Sequence, residues 1–346
     1  MTDHSGIISA ILAEWGDYRP FVEPEIFGTD DPGQIARNIT EFCSAELGSA
    51  IAECLFYQVS QGSVFGLCLQ DGRRIVVKVH PPEQPYDFLA AVYRVQSHLA
   101  EHGFPCPRPI AGPASLVYGH ATVEELVDVG NYADAHDPAI RCTMAETLFR
   151  LVDLTRDFTD IPGLQPGILT RQPGDALWPR PHSKIFDFEA TKVGSEWIDQ
   201  IASKARQALS NSAGQKVIGH TDWSVKHFRF EGNKARVIYD WDSLALEKEP
   251  VIVGDAARGF TMTWHLEVPL APGFDELWAF VSEYETARGI AFTPTERTTI
   301  AASAAYALAY SARCENCLDP GAKIFLSGSF REALAYYGEK LVSFIP

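Results

Sequence analysis

Apolar positions recur along this chain at two spacings, and the spacing changes with position. Ile7, Ile11, Leu12 and Trp15 fall at helical intervals, which predicts a helix over residues 6–16. Residues 34–53 add a second predicted helix. From Leu55 to His80 the pattern turns strand-like. Phe56–Val59, Val64–Leu69 and Ile75–Val79 are three apolar runs, and Gln70-Asp71-Gly72-Arg73 between the last two reads as a hairpin turn. Phe88, Val92, Val95 and Leu99 then mark one apolar face of a helix over 86–102. Gly103, with Pro105 beyond it, supplies the stop. Val117, Tyr118 and Ala121–Leu126 predict further strands.

The remainder reads as mostly helical. Asp137 can cap a helix with Pro138 at its first position, and Met144, Leu148, Leu151 and Val152 form the buried stripe. Residues 159–183, rich in Pro and Gly, predict a long loop. Ser195 can cap a helix carrying Trp197, Ile198, Ile201, Ala205 and Leu209. A short β section spans 216–241 with its turn at Glu231–Lys234. Helices follow near 275–288, 294–313 and 329–342, the second opened by a capping box of Thr293 and Glu296 around Pro294. The order is a small β-rich lobe with one long helix, then a larger helical lobe with an inserted hairpin. This is an α+β chain of about two domains for its 346 residues.

Composition narrows the function classes. Lys plus Arg is 29 and Asp plus Glu is 45, a formal net charge of −16. Non-specific nucleic-acid binding needs a basic footprint, so no nucleic-acid partner is expected. No apolar run approaches the ~18 residues of a membrane span, so no membrane partner is expected either. The N-terminus lacks the positive start of a signal peptide. Seven cysteines, an odd number in mostly apolar surroundings, fit reduced thiols in a cytoplasm. Cys314-Glu315-Asn316-Cys317 follows a long Ala-rich helical pattern, where helix-end packing explains it better than metal or redox chemistry.

The segment that carries chemistry is 216–242. It reads as a strand, the loop His220-Thr221-Asp222, a hairpin, then Tyr239-Asp240-Trp241-Asp242. A short hairpin between Asp222 and Asp240 returns the chain so that both carboxylates can face one cavity. Phosphoryl transfer uses such a pair: one orients the attacking hydroxyl and takes its proton, the other holds a divalent cation against phosphate oxygens.

This segment resembles the catalytic and metal loops of the aminoglycoside phosphotransferases, which share the protein-kinase-like fold. The family's H-G-D-x-x-x-x-N stands here as His220–His227, and its I-D-W as Ile238-Tyr239-Asp240-Trp241. Gly103–Pro109 looks like the G-x-P-x-P segment, Val77-Lys78-Val79 like the β3 lysine strand, and Ser60-Gln61-Gly62-Ser63 like the nucleotide-covering hairpin. Val123-Glu124-Glu125-Leu126 looks like the linker whose backbone binds adenine. The likeness covers roughly residues 50–345.

The resemblance implies a two-lobed kinase that moves the γ-phosphate of ATP or GTP to a hydroxyl of an aminoglycoside-like or other small acceptor, with Mg²⁺ or Mn²⁺. Residues 1–50 are then a helical extension, 51–126 a nucleotide-binding N-lobe and 127–346 a helical C-lobe. Asp222 is the catalytic base or orienting group, and Asp240 the main metal ligand. Lys78 meets the α and β phosphates, Gly62 and Ser63 beside Ser60 lie over them, and Glu124, Glu125 and Leu126 line the adenine. His220 fixes its loop.

Two positions depart from the family. Its Asn metal ligand is His227 here, and imidazole suits softer ions than Mg²⁺. The helical glutamate expected to pair with the β3 lysine falls at Val92, and Asp87 or Glu83 substitutes only from another turn. These departures motivate a rival reading, a nucleotide-binding pseudokinase. A protein kinase fits less well, because no Ala-Pro-Glu or activation segment follows Asp240.

Each residue also has a plainer reading. Asp222 can serve a turn, Asp240 can be an exposed strand end, and Lys78 a solvated strand lysine. The glycines can be turn residues, His227 a packed histidine, and Asp255 a structural acid. Residues 168–190, with Trp178, Pro179, Pro181, His182, Phe186, Asp187 and Phe188, either close over an acceptor or pack on their own aromatics.

Overall fold

A computed structural model describes residues 19–170 and 176–344, so the helix predicted over 6–16 lies outside the described residues. Nine α-helices and nine strands lie among them, in two compact units. One holds the residues up to Glu101 together with Cys106–Asp128; the other holds His102–Pro105 and the chain from Val129.

In the first unit, α1 (Arg19–Phe27) and α2 (Pro32–Leu47) precede β1 (Ile51–Val59). The predicted 34–53 helix is thus shorter and starts earlier. Asp31 caps it, its carboxylate accepting from the Gln34 amide at 2.9 Å, and Gly48 ends it in the left-handed region at φ 67°. Residues 51–53 belong instead to β1. The strands β2 (Ser63–Leu69) and β3 (Arg74–His80) flank the predicted turn, where Gly72 takes φ 89°. Helix α3 (Tyr86–Glu101), β4 (Pro109–Leu116) and β5 (Gly119–Glu125) complete an antiparallel sheet of order β1-β2-β3-β5-β4. Val117 and Tyr118, predicted as strand, form the β4–β5 turn. Strand β4 went unpredicted because Pro109, Gly112 and Pro113 read as loop punctuation, and an edge strand tolerates them. On one face of the sheet Phe65, Leu67, Ile75 and Val77 pack with Ile35, Ile39 and Phe42 of α2.

The second unit opens on α4 (Pro138–Leu154), capped by Asp137 through the Ala139 amide at 2.8 Å. Helix α5 (Glu196–Leu209) follows the long loop; Ser195 precedes it, but its hydroxyl donates to the Lys192 carbonyl instead of capping. Strand β6 (Lys216–His220) pairs with β9 (Leu244–Lys248), and β7 (Phe228–Glu231) with β8 (Lys234–Ile238) around Gly232 at φ 55°. Then come α6 (Glu249–Gly259), α7 (Phe274–Arg288), α8 (Pro294–Leu318) and α9 (Phe330–Val342). The Thr293–Glu296 capping box forms as expected. Helix α8 runs beyond 313, so Cys314 and Cys317 lie within its last turns, neither in a disulfide.

Helix α6 was invisible to periodicity because every one of its residues is buried. It crosses α8 closely at Gly254, where an added Cβ would come 2.4 Å from the Ile300 carbonyl oxygen. Ser303 of α8 donates to the Val251 carbonyl at 2.7 Å in the same contact. Gly254→Ala must push the helices apart. It is expected to cost about 1–3 kcal/mol, read as a melting temperature lower by several degrees, at ~2–4 °C per kcal/mol for a unit of this size. An unchanged melting curve would show that the crossing is looser than these atoms imply.

Candidate active site

The turn after β6 and the turn after β8 are tied together by backbone. The Thr221 amide and hydroxyl both donate to the Ser243 carbonyl, at 2.9 and 3.0 Å, and the Tyr239 amide donates to the His227 carbonyl at 3.0 Å. The Ile238 amide reaches the Pro105 carbonyl at 2.7 Å. These ties bring Asp222, His227 and Asp240 together, with one ligand atom from each lying within 4.8 Å of the others.

Asp222 Oδ2 takes two charged or polar partners. His227 Nε2 is 2.9 Å away and Lys226 Nζ 2.8 Å. Ser224 Oγ donates to Oδ1 at 3.3 Å. Burial alone would raise this carboxyl, but the Lys226 ammonium and the His227 ring hold it well below the usual carboxylate range. The side chain keeps 30% exposure, enough to meet a ligand. Lys226 was not singled out from sequence. The short 3₁₀ turn Val225–His227 folds it back on Asp222, four residues earlier.

Asp240 occupies the left-handed region at φ 69° and ψ 45°, rare for a residue other than glycine. That turn directs Oδ2 to within 3.5 Å of His227 Nε2, and Ser243 Oγ donates to it at 3.0 Å. His220 is buried, with Nδ1 accepting from the Asp222 amide at 3.2 Å. Burial, reinforced by His227, pushes its pKa down to about 4. A neutral ring packed edge-on against Trp241 and Trp223 fixes the loop.

The donor set fits a divalent cation. Two carboxylates and an imidazole suit Mn²⁺ as well as Mg²⁺. His227 Nε2, however, serves either Asp222 or a metal at one time.

Aromatic side chains accompany the cations of this region. Lys226 Nζ lies 5.4 Å from the Trp264 ring centre, and that indole is 64% exposed. Arg229 sits 3.7 Å over Tyr132, which stacks on His265 at 4.1 Å. Burial lowers the His182 pKa; nearby Asp222 opposes this, and Lys226 and Arg258 add to it. Asp255 pairs with Arg258 at 3.1 Å inside α6, and burial outweighs that pair to raise its carboxyl. The aromatic loop packs on its neighbours. Trp178 stacks on Tyr306 at 5.6 Å, Phe188 meets Tyr310 edge-on at 5.8 Å, and His182 Nδ1 lies 2.8 Å from the Tyr310 hydroxyl.

In the first unit the residues expected at a nucleotide distribute differently. Lys78 Nζ lies 3.4 Å from Glu124 Oε1, so the Glu124 side chain faces the lysine. The Glu125 and Leu126 amides donate to the Arg108 and Arg74 carbonyls, at 2.9 and 3.0 Å. That engages both donors inside the unit, because β5 runs on to Glu125. Ser60 closes a turn, its amide donating to the Gly62 carbonyl at 3.0 Å. Gly62 approaches β3 so closely that a Cβ would meet the Val79 carbonyl oxygen at 2.6 Å. Ser63 is buried, its hydroxyl 3.1 Å from that of Tyr57, so its side chain faces protein and not an open surface.

Residues 67–281 match the sequence profile described as the phosphotransferase enzyme family. No curated protein sequence matches the chain significantly. Among solved structures, the amicoumacin kinase hAmiN, in complex with AMP-PNP, Ca²⁺ and Ami, aligns with a TM-score of 0.58 at 11% identity, over 85% of this chain and 89% of its own. The macrolide 2′-phosphotransferase MphH of Brachybacterium faecium, an apoenzyme, aligns at 0.51 and 12% identity, over 87% of this chain and 97% of its own. At these identities the likeness is one of fold, and the fold is the protein-kinase-like one of small-molecule kinases. No helix among the described residues is long and apolar enough to cross a membrane.

Proposed function

We propose, from the premise that this chain belongs to the phosphotransferase enzyme family, that it transfers the γ-phosphoryl group of ATP or GTP to a hydroxyl of a small molecule. The observation that carries the reading is the convergence of Asp222, His227 and Asp240 on two stapled loops. The fold shared with hAmiN, which was solved with a nucleotide analogue and a divalent ion, supports nucleotide and metal use.

In this reading Asp222 Oδ2 orients the acceptor hydroxyl and receives its proton as the oxygen attacks phosphorus. The carboxyl stays ionised through the neutral range, so it is ready to accept. Lys226 screens the charge that builds on the incoming oxygen. Asp240, with His227, would hold the divalent cation, which when bound neutralises charge on the phosphate oxygens. Lys78 meets the α and β phosphates, and the Ser60–Ser63 turn covers them. Residues 51–126 then serve the nucleotide and 127–346 the acceptor, in a cytoplasm whose reducing poise suits the seven free thiols.

The acceptor side has its own chemistry. Lys226 pairs with Asp222 and lies against the exposed Trp264 indole, which favours a neutral or anionic acceptor lying against that aromatic plane over a polycation such as an aminoglycoside. The test is incubation with ATP, Mg²⁺ or Mn²⁺ and acceptors of three charge classes: aminoglycosides, macrolides with neutral sugars, and hydroxy acids. A product heavier by about 80 Da, one phosphoryl group, is expected from the second or third class and not from Asp222→Asn. Nucleotide binding without product or hydrolysis would favour the pseudokinase reading.

A further inference from the structure

The first unit holds a polar relay that no motif predicted. Lys78 stands opposite Thr122 in the β3–β5 ladder, and Val76 opposite Glu124. Residues two apart on a strand share a face, so Lys78 and Glu124 are diagonal neighbours on one side of the sheet. Val77, Val79 and Val123 point to the other side, into the core with α2. Glu124 Oε1 lies 3.4 Å from Lys78 Nζ, and Oε2 accepts from Gln96 Nε2 at 2.9 Å. The same Gln96 amide nitrogen also donates to the Pro107 carbonyl at 2.9 Å. Glu124 is 6% exposed and Gln96 4%. A carboxylate buried this far is retained only with partners, and Oε2 has the Gln96 amide while Oε1 has the Lys78 ammonium.

Gln96 is one helical turn beyond Val92, where a carboxylate was expected. Helix α3 therefore contributes a neutral amide, and the acid comes from the sheet. We infer that Glu124, braced by Gln96, is the positioning residue for Lys78, replacing the absent helical glutamate. Because the acid and the lysine sit on adjacent strands of one ladder, their relation is set by backbone register. Helix α3 contributes only the brace. The inference rests on the reading of Lys78 as the group that meets the nucleotide phosphates.

The test uses the full chain and an amine-acylating reagent, with modification of Lys78 followed by mass spectrometry across pH, with and without ATP. Affinity for a fluorescent ATP analogue is measured beside it. In the unaltered protein ATP is expected to protect Lys78. In Glu124→Gln the ammonium loses the Glu124 carboxylate and gives up its proton more readily, so acylation quickens several-fold and its pH profile moves to lower pH. ATP affinity falls about tenfold, the loss of one charged hydrogen-bond partner's help. Glu124→Asp restores part of both. Gln96→Met keeps both charges and removes only the brace, and shifts both readouts in the same direction by less. A merely structural role would not move the acylation profile. A Glu124→Gln protein whose profile and affinity match the unaltered chain overturns the inference. A Glu124→Gln chain that fails to fold leaves Gln96→Met to decide, and no shift there overturns it as well. Absence of ATP protection in the unaltered protein removes instead the nucleotide reading on which it rests.

Discussion

Asp222→Asn is expected to lower kcat by about a thousandfold while nucleotide affinity stays within about twofold. The substitution keeps the shape of the side chain and removes its capacity to take a proton. It also strips the counter-charge from Lys226, 2.8 Å away, and from the His227 ring at 2.9 Å. Both groups hold the native carboxyl well below its ordinary pKa, although burial pushes the other way. The native side chain is therefore already ionised wherever the protein is neutral, and the acid limb of a kcat profile should not follow a carboxyl near its usual value. The loop should survive the change, because its backbone ties run through Thr221, Ser243, His227 and Tyr239, not through the Asp222 carboxylate. Turnover of an acceptor found in the charge-class panel, and the dissociation constant for an ATP analogue, separate the two effects. A parallel loss of both would place Asp222 at the nucleotide and not at the hydroxyl.

The legible parts of this molecule were those whose burial follows one periodicity. Helix α3 is apolar on a single face, and its bounds, Tyr86–Glu101, fell within a residue of the expectation. Strands β2 and β3 were bracketed by a turn whose glycine needs positive φ. Helix α6 had no polar face to reveal it, and β9 is a short strand whose partner β6 is distant in sequence. The two acids could be picked from the chain because loops of that kind announce themselves by local residue type. What lay beyond reach was set by register. Whether Glu124 turns its side chain or its backbone to a ligand depends on strand parity across β3 and β5, which no local pattern records. Lys226 was hidden for a related reason. A lysine between two motif residues reads as solvated until a 3₁₀ turn folds it back on Asp222. The loop at 168–190 could be read as closing over an acceptor, though packing on its own aromatics was the stronger reading. In the fold, Trp178 and Phe188 lie against α8.

Asp240→Ala is expected to abolish the part of nucleotide affinity that depends on a divalent cation, and to lower turnover by at least about a hundredfold. The residue holds a backbone conformation that costs a side-chain-bearing residue on the order of 1 kcal/mol or more, and Ser243 and the β8 end hold it there. Alanine in the same position keeps most of that backbone cost and loses the oxygen, so a change in metal response reports the carboxylate and not the turn. Titration of ATP-analogue binding with Mg²⁺ and then Mn²⁺ reads the effect. In the native protein Mn²⁺ should compete well against Mg²⁺, since His227 Nε2 lies 3.5 Å from Asp240 Oδ2 and offers nitrogen where oxygen is usual. In Asp240→Ala both titrations should flatten to the metal-free affinity. Unchanged curves would mean that Asp222 and His227 alone hold the cation. Asp222 would then be a ligand and no longer able to serve as the base, so this one titration also bears on the role given to the other acid.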